Sequence, residues 1–465
     1  MLKSHALFVA LAAVVFGCSP HPLGYDWPEP VPLARDLPIY TPPREPNSDT
    51  AAPHHSFEEP TGTLPLSRAM ALALLNNPEL RSFAWEVRAA EARALQASLL
   101  PNPGFGVEVE NIGGSGELSG FDGAETTLSL SQAFLLGGKI QKRTHLASLE
   151  RELSGFDYET KRIEVLTQVT KRFVDVLASQ SHVEIAEEAH KLAAQVLDTV
   201  IKRIEAGDVS PVEKSRSSVI VSASRLALVR ARRELQLSRT ELAAMWSSTS
   251  PQFQAATGPF KTVHELPPVA TLAQFVSQNP EIARWAVEMS KQHAAVQLAK
   301  AEAVPDVEVE AGLHHFNDVD DTAFVVGLSL PLPLFDRNQG GVLEARYNLK
   351  KAQQERRAAE VRVRAALSES YHELAATYAE ATSLTHDVLP AARTSFEATR
   401  EAFTQGKLGF LDVLDTQRTL IDIQSQQIEA LASYHRALAD VERLIGQRLA
   451  EVTINETSQP KDTTP

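Results

Sequence analysis

Apolar positions in residues 64–450 recur with two different periods, and the two alternate in a fixed order. Long stretches rich in Ala, Leu, Glu, Arg and Gln carry the helical spacing of three and four. Four short segments instead alternate residue by residue: "VEVEN" (107–111), "TLSLSQ" (127–132), "VEVEAGL" (307–313) and "VGLSLPL" (326–332). The expected order is a helix over about 66–99, two strands, a very long helix over about 138–206, a break at glycine, and a helix over about 211–247. The same order returns as a helix over about 271–302, two strands, and helices over about 340–405 and 410–448. Within the long stretches the only internal proline is Pro390, and their residues are good helix formers. At 1.5 Å per residue, a helix of about 68 residues spans roughly 100 Å.

This grammar is a tandem repeat. "NNPELRSFAWEV" from position 76 matches "QNPEIARWAVEM" from 278. "TLSLSQAFLLGGK" (127–139) matches "VGLSLPLPLFDRNQGG" (326–341), and "AGDVSPVE" (206–213) matches "QGKLGFLD" (405–412). All three matches keep an offset of roughly 200 residues, which predicts two structural halves, 64–260 and 261–450.

In the short segments apolar side chains face one way and polar ones the other. Period-two segments of about 8–11 residues suit strands with lipid on one side and a lumen on the other. A half-buried soluble hairpin is the alternative, but two hairpins beside helices about 100 Å long would have no evident core to cover. Four strands cannot close a barrel, because single-chain barrels begin at about eight. Strands pooled from three chains would make twelve, with each chain's edge strands paired by its neighbours.

Both ends of the chain differ from the body. "MLKSHALFVALAAVVFGCS" has a lysine, an apolar run and small residues ahead of Cys18, the single cysteine. It reads as an export signal over 1–17, too short for a spanning helix. "VVFG" before Cys18 resembles a bacterial lipoprotein signal, which implies acylation of that cysteine; Ser19 after it implies the outer membrane. Residues 18–63 hold 11 of the 27 prolines, so an extended arm is expected there, with Tyr25, Trp27 and Tyr40 as anchors. Residues 451–465 read as a disordered tail. One cysteine permits no internal disulfide and no Cys-based zinc site. A net charge of -14 argues against a nucleic-acid partner.

Candidate chemistry concentrates at the glycine breaks. The tips 207–210 (Gly207, Asp208, Val209, Ser210) and 406–409 (Gly406, Lys407, Leu408, Gly409) are where each long helix would turn back. Just beyond them lie Glu213 in the first half and Asp412 with Asp415 in the second. Asp412, Asp415, Thr419, Asp422, Gln426 and Glu429 form a polar stripe on the last helix. Leu411, Leu414, Ile421 and Ile428 flank it on one side, and Val413, Leu420, Leu431 and Leu438 on the other. Two apolar flanks suit a helix packed sideways into a wall, and a wet coiled coil is the alternative. No nucleophile elbow, phosphate loop or His-Glu-x-x-His motif accompanies the carboxylates, so neither an enzyme nor a cofactor is expected. His54 and His55 in the arm, and His314 and His315 after a strand, read as solvated residues rather than metal ligands.

With these features in place, residues 64–450 resemble the TolC family of outer-membrane efflux channels. The resemblance implies a mainly helical fold with transmembrane β: a homotrimer in which four strands per chain form a 12-stranded barrel, continuous with a long periplasmic helical barrel. It implies a passive exit channel, adaptor contact at the tips, and Asp412 and Asp415 as rings lining the periplasmic entrance. "LPLPLFDRNQGG" (330–341) and "LLGGKIQKR" (135–143) resemble the branch serving cobalt-zinc-cadmium resistance, which implies metal-cation cargo and a proton-driven inner-membrane pump of the resistance-nodulation-division type. The family's tip network of an Asp, an Arg and a Tyr is not kept: Glu213, Leu408 and Phe403 stand at those positions. A drug channel of the same fold and a periplasmic coiled-coil adaptor or structural lipoprotein are the alternatives.

Overall fold

The computed structural model describes residues 27–43, 58–207 and 209–450. In chain order the elements are β1 (Gly62–Pro65), α1 (Leu66–Asn76), α2 (Pro78–Ser98), β2 (Gly104–Glu110), β3 (Glu125–Phe134), α3 (Lys139–Glu205), α4 (Val212–Ala244), β4 (Phe253–Thr257), α5 (Val269–Ala273), α6 (Pro280–Glu302), β5 (Val307–Phe316), β6 (Asp321–Ser329), α7 (Gln339–Ser383), α8 (Leu389–Thr404) and α9 (Phe410–Ile445). They form two compact units. Residues 86–155 and 284–357 hold the four long strands, and residues 28–85, 156–283 and those from 358 onward hold the two helical tips.

The expected opening helix is two pieces in the first half and three in the second, where a 3-10 turn at Phe275–Gln278 lies between α5 and α6. Proline disfavours a helical residue before it, and Asn77 and Asn279 stand extended before Pro78 and Pro280, with ψ of 122° and 129°. Each asparagine then caps the next helix and ties down the end of its half. Asn77 Oδ1 accepts the Leu80 N–H at 3.0 Å, and its Nδ2 donates to Met245 O at 3.0 Å. Asn279 Oδ1 accepts the Glu281 N–H at 2.8 Å, and its Nδ2 donates to Leu444 O at 3.0 Å. The repeated Asn-Pro-Glu is therefore a joint, with proline at the first helical position where its missing N–H costs nothing.

The long helix α3 runs unbroken for 67 residues. Its counterpart breaks into a π turn at Leu384–Val388, between α7 and α8. Pro390 has no N–H to give to the carbonyl four residues back, and the ladder shifts register to accommodate it. Two strands escaped the sequence reading: β1 and β4 pair in parallel. Gln180 of α3 clasps β4 through both its amide atoms, accepting the Ala256 N–H at 2.7 Å and donating to Ala256 O at 3.0 Å. At four or five residues, neither strand is long enough for alternation to announce it.

The other unit contains one antiparallel sheet in the order β2-β3-β5-β6. Each half supplies a hairpin, and β3 joins β5 across the repeat. The register sorts most side chains by face, with Gln132 and His315 as exceptions on the apolar side and Phe316 and Val325 on the polar side. Phe105, Val107, Val109, Leu128, Leu130, Val309, Ala311, Leu313, Phe324, Val326 and Leu328 share one face. Glu108, Glu110, Glu125, Ser129, Ser131, Glu308, Glu310, His314 and Ser329 share the other. Asn338, held at φ +53°, donates through Nδ2 to Ala299 O at 2.8 Å, and Arg143 reaches Ala97 O and Leu99 O at 3.0 and 3.1 Å. The carbonyls at the end of α6 and α2 are thereby satisfied from the junction that follows each hairpin.

The described part of the arm is anchored as expected at two aromatic residues. The Arg88 guanidinium lies 5.1 Å over the Trp27 ring, and that of Arg81 lies 4.8 Å over the Tyr40 ring. The stronger attachment is one the sequence reading missed. Arg162 and Glu159 on α3 are almost fully buried beneath Val31–Ala34. Arg162 donates to Leu33 O at 3.3 Å and to Ala34 O at 2.6 Å, while Glu159 Oε2 accepts the Val31 N–H at 3.3 Å. Leu33 in turn donates its N–H to Gly446 O, just past α9, at 3.0 Å. The export signal, Cys18, Tyr25, His54, His55 and the tail lie outside the described residues.

Candidate functional site

Each tip is set by a glycine in the left-handed region. Gly207 has φ +82° and donates its N–H to Ile204 O at 3.0 Å; Gly406 has φ +74° and donates to Phe403 O at 3.0 Å. Left-handed backbone just past a helix is the usual helix stop, and glycine adopts it without strain. Lys407 closes the second turn by donating its N–H to Ala402 O at 2.9 Å. Lys407, Leu408 and Gly409 are exposed, as are Gly207 and Ser210; Val209 is half-buried, and Asp208 lies outside the described residues. No helix among the described residues is long and apolar enough to cross a membrane.

The carboxylates beyond the tips do not share one environment. Glu213 is half-buried and pairs with Arg216 at 3.1 Å, one turn along α4. Asp412 is exposed, and its Oδ2 accepts the Gly409 N–H at 2.9 Å, which caps α9. Asp415 is exposed with no side-chain partner among the described residues. Neither aspartate is paired with a cation among the described residues. The stripe expected on α9 is present: Asp412, Asp415, Thr419, Asp422, Gln426 and Glu429 are all exposed. Of its flanks, Val413, Leu420, Leu431 and Ile428 are buried, whereas Leu411 is 59 % exposed and Leu414, Ile421 and Leu438 are half-buried. Both flanks are partly covered within the chain, and the least covered residues, Leu411, Leu414 and Ile421, lie on one of them toward the tip.

The residues at the family's tip-network positions are differently employed. Phe403 is buried, 6.3 Å from Phe410, in a cluster with Val200, Phe396 and Val413. The Arg203 guanidinium lies 4.9 Å over the Phe403 ring and reaches Phe403 O at 3.4 Å. This link joins the end of α3 to the second tip, and the sequence reading passed over it. A basic residue in the last turn of α3 was the available signal.

His314 and His315 lie within β5, not after it. His314, on the polar face, meets Thr127 Oγ1 at 2.8 Å through Nδ1 and Glu125 Oε2 at 2.9 Å through Nε2. His315 points to the opposite face beside Thr322 at 3.2 Å. The alternation that begins at Val307 continues through both histidines and could have placed them. Among the described residues no group of three or more His, Cys, Asp and Glu could hold a metal ion.

The apolar face has no cover among the described residues: Phe324, Val326 and Leu328 are 76 %, 79 % and 74 % exposed. Both sheet edges, β2 and β6, lack a partner strand among the described residues. Such a face with such edges is stable only against lipid or other chains.

Comparison with known proteins agrees with this arrangement. The family model described as "Outer membrane efflux protein" matches residues 69–248 and 271–447. The chain is 31% identical to the cobalt-zinc-cadmium resistance protein CzcC of Cupriavidus metallidurans, over 84% of this chain and 91% of that protein. It is 25% identical to the nickel-cobalt-cadmium resistance protein NccC of Alcaligenes xylosoxydans xylosoxydans, over 69% and 71%. Among solved structures, CusC superposes with a TM-score of 0.69 at 16% identity, covering 82% of this chain and 92% of that one, a likeness of fold. The expected TolC-type architecture holds, and the chain belongs to the family of outer membrane efflux proteins.

Proposed function

We propose that this protein is the outer-membrane exit channel of a tripartite pump that expels heavy-metal cations. The sheet with one bare apolar face, one acidic face and two open edges is the observation that carries the channel reading. Three copies pool their strands into a twelve-stranded barrel, with the apolar face toward lipid and Glu108, Glu110, Glu125, Glu308 and Glu310 toward the lumen. Exposed Val212, Val219 and Leu226 recur every seven residues on α4 and supply a seam for a neighbouring copy. The cargo is argued from CzcC and NccC, both named for resistance to divalent metals. Conduction is passive, with energy drawn from an inner-membrane pump of the resistance-nodulation-division type through a periplasmic adaptor that meets the exposed tips. Asp412 and Asp415 form acidic rings at the entrance, where such rings concentrate cations, and Glu213 stands back from them. Cys18 anchors the arm to the outer membrane through an acyl chain.

A deletion strain tested against cobalt, zinc, cadmium, nickel and a panel of drugs decides the cargo. Metal sensitivity restored by the intact gene supports the reading; sensitivity to drugs alone overturns the metal part. Extraction as a detergent-soluble trimer from the outer membrane tests the barrel, and a soluble monomer would rule it out.

A further inference from the structure

Just below the tips, α3, α4 and α9 enclose a narrow space lined by Ala193, Val196, Ser217, Ile220, Phe410 and Gln417. Most of this lining is apolar, as a helix seam should be. Ser217 and Gln417 are the exceptions, at 1% and 5% exposure. The Ser217 hydroxyl and the Gln417 side-chain carbonyl have no hydrogen-bond partner among the described residues. Glu213 Oε2, one turn earlier on α4, is likewise buried without one. The space is too small to admit a water molecule, so solvent cannot supply the missing bonds.

Buried polar groups in native proteins nearly always find a partner, and an unmet one is a standing penalty on the state that buries it. Methionine at 417 and alanine at 217 would fill nearly the same volume with nothing to satisfy. We propose that Ser217 and Gln417 form a built-in release pair: they weaken the seam between α4 and α9 so that the two hairpins can part and open the channel. Parting these helices lets water reach both groups, which removes the penalty. The packing seen here is therefore held with a reduced margin, and an adaptor has less work to do at the tips. Packed helices switch between discrete arrangements, so a small bias at the seam moves the whole equilibrium. This device is separate from the ring and tip contacts, since neither residue reaches the exposed stripe of α9. The inference rests on the reading of the chain as an exit channel.

The test compares the purified wild-type trimer with Ser217→Ala/Gln417→Met, by thermal melting in detergent and by single-channel recording in planar bilayers. The double variant should melt higher and open about tenfold less often, the factor that corresponds to about 1.4 kcal/mol. Gln417→Glu, which increases the demand for water at the seam, should shift both readings the other way. Ser217→Ala alone, the smallest change, should shift them in the direction of the double variant, and it serves if the others fail to assemble. Unchanged opening or a lower melting temperature in the apolar variants, with a conducting wild type, overturns this inference alone. A wild type that never conducts sinks the channel reading and the release pair with it.

Discussion

The buried clamp beneath the arm sets up a prediction whose sign depends on pH. Arg162 is 0% exposed and Glu159 3%, and together they hold the backbone of Val31–Ala34. Burial raises the Glu159 carboxyl from 4.5 to about 7, against the opposing pull of the Arg162 guanidinium and the Val31 N–H. Tyr158 beside it is raised as well, chiefly by burial. Because the folded value of Glu159 exceeds the unfolded one, the folded protein binds the extra proton between those two pH values. The contribution of Glu159 to stability is therefore greatest below about pH 4.5 and is lost as pH rises through about 7. A rise of that size corresponds to about 3 kcal/mol.

The perturbation is Glu159→Gln, which keeps an oxygen for the Val31 N–H but cannot ionise. Measured as melting temperature across pH 4.5 to 8, the wild type should lose stability relative to Glu159→Gln as pH rises. Hydrogen exchange at the Val31 and Leu33 amides should follow the same curve, because these bonds open locally with the clamp. Arg162→Met supplies the converse. At pH 8 it strands a buried carboxylate and should cost about 3–5 kcal/mol; at pH 5, with Glu159 protonated, the cost should shrink. A difference between Glu159→Gln and wild type that stays flat across this range would refute the reasoning.

Further outcomes follow from single contacts. Gly406→Ala places a side chain at φ +74° and should cost about 1–2 kcal/mol, read as a lower melting temperature. Asn279→Ala removes a helix cap and the tie to Leu444 O, and should cost about 1–2 kcal/mol in the same assay. Val326→Arg, on the apolar face, should reduce the folded trimer recovered from outer membrane, at a cost of about 2–4 kcal/mol near the bilayer midplane. Ser329→Arg, on the polar face, should leave recovery unchanged.

The sequence was most readable where a pattern persists over many residues. The 67-residue helix α3 and the four long strands emerge from periodicity sustained over a whole element. The reading failed where one side chain overrides the pattern. Asn77 and Asn279 interrupt helices whose apolar spacing continues across them, and Pro390 shifts a ladder without ending it. The β1–β4 pair joins residues far apart in sequence with no local signal to announce it, and the Arg203–Phe403 link is marked only by a basic residue in the last turn of α3. His314 was legible but was truncated too early, at a strand end that the register places at Phe316.

The acidic pair at the second tip shows how magnitudes assign roles to neighbouring residues. Two carboxylates three positions apart on a helix repel by about 0.2–0.5 kcal/mol. Asp412 offsets this: its Oδ2 accepts the Gly409 N–H at the start of α9, and a first-turn carboxylate gains about 0.3–1 kcal/mol from the helix dipole. Asp412 thus has a sufficient structural reason to be acidic. Asp415 has none: it caps nothing, pairs with nothing among the described residues, and stands exposed. If the entrance uses charge, Asp415 carries the cleaner evidence of it. Asp415→Asn should leave melting unchanged or slightly raised while weakening cation selectivity and block by polyvalent cations in planar bilayers. Asp412→Asn keeps a capping oxygen and should lower selectivity further at a small cost in stability, whereas Asp412→Ala should lose about 1 kcal/mol. Selectivity that survives the loss of both charges would leave the pair as helix chemistry alone and move the cation preference to the glutamates of the barrel.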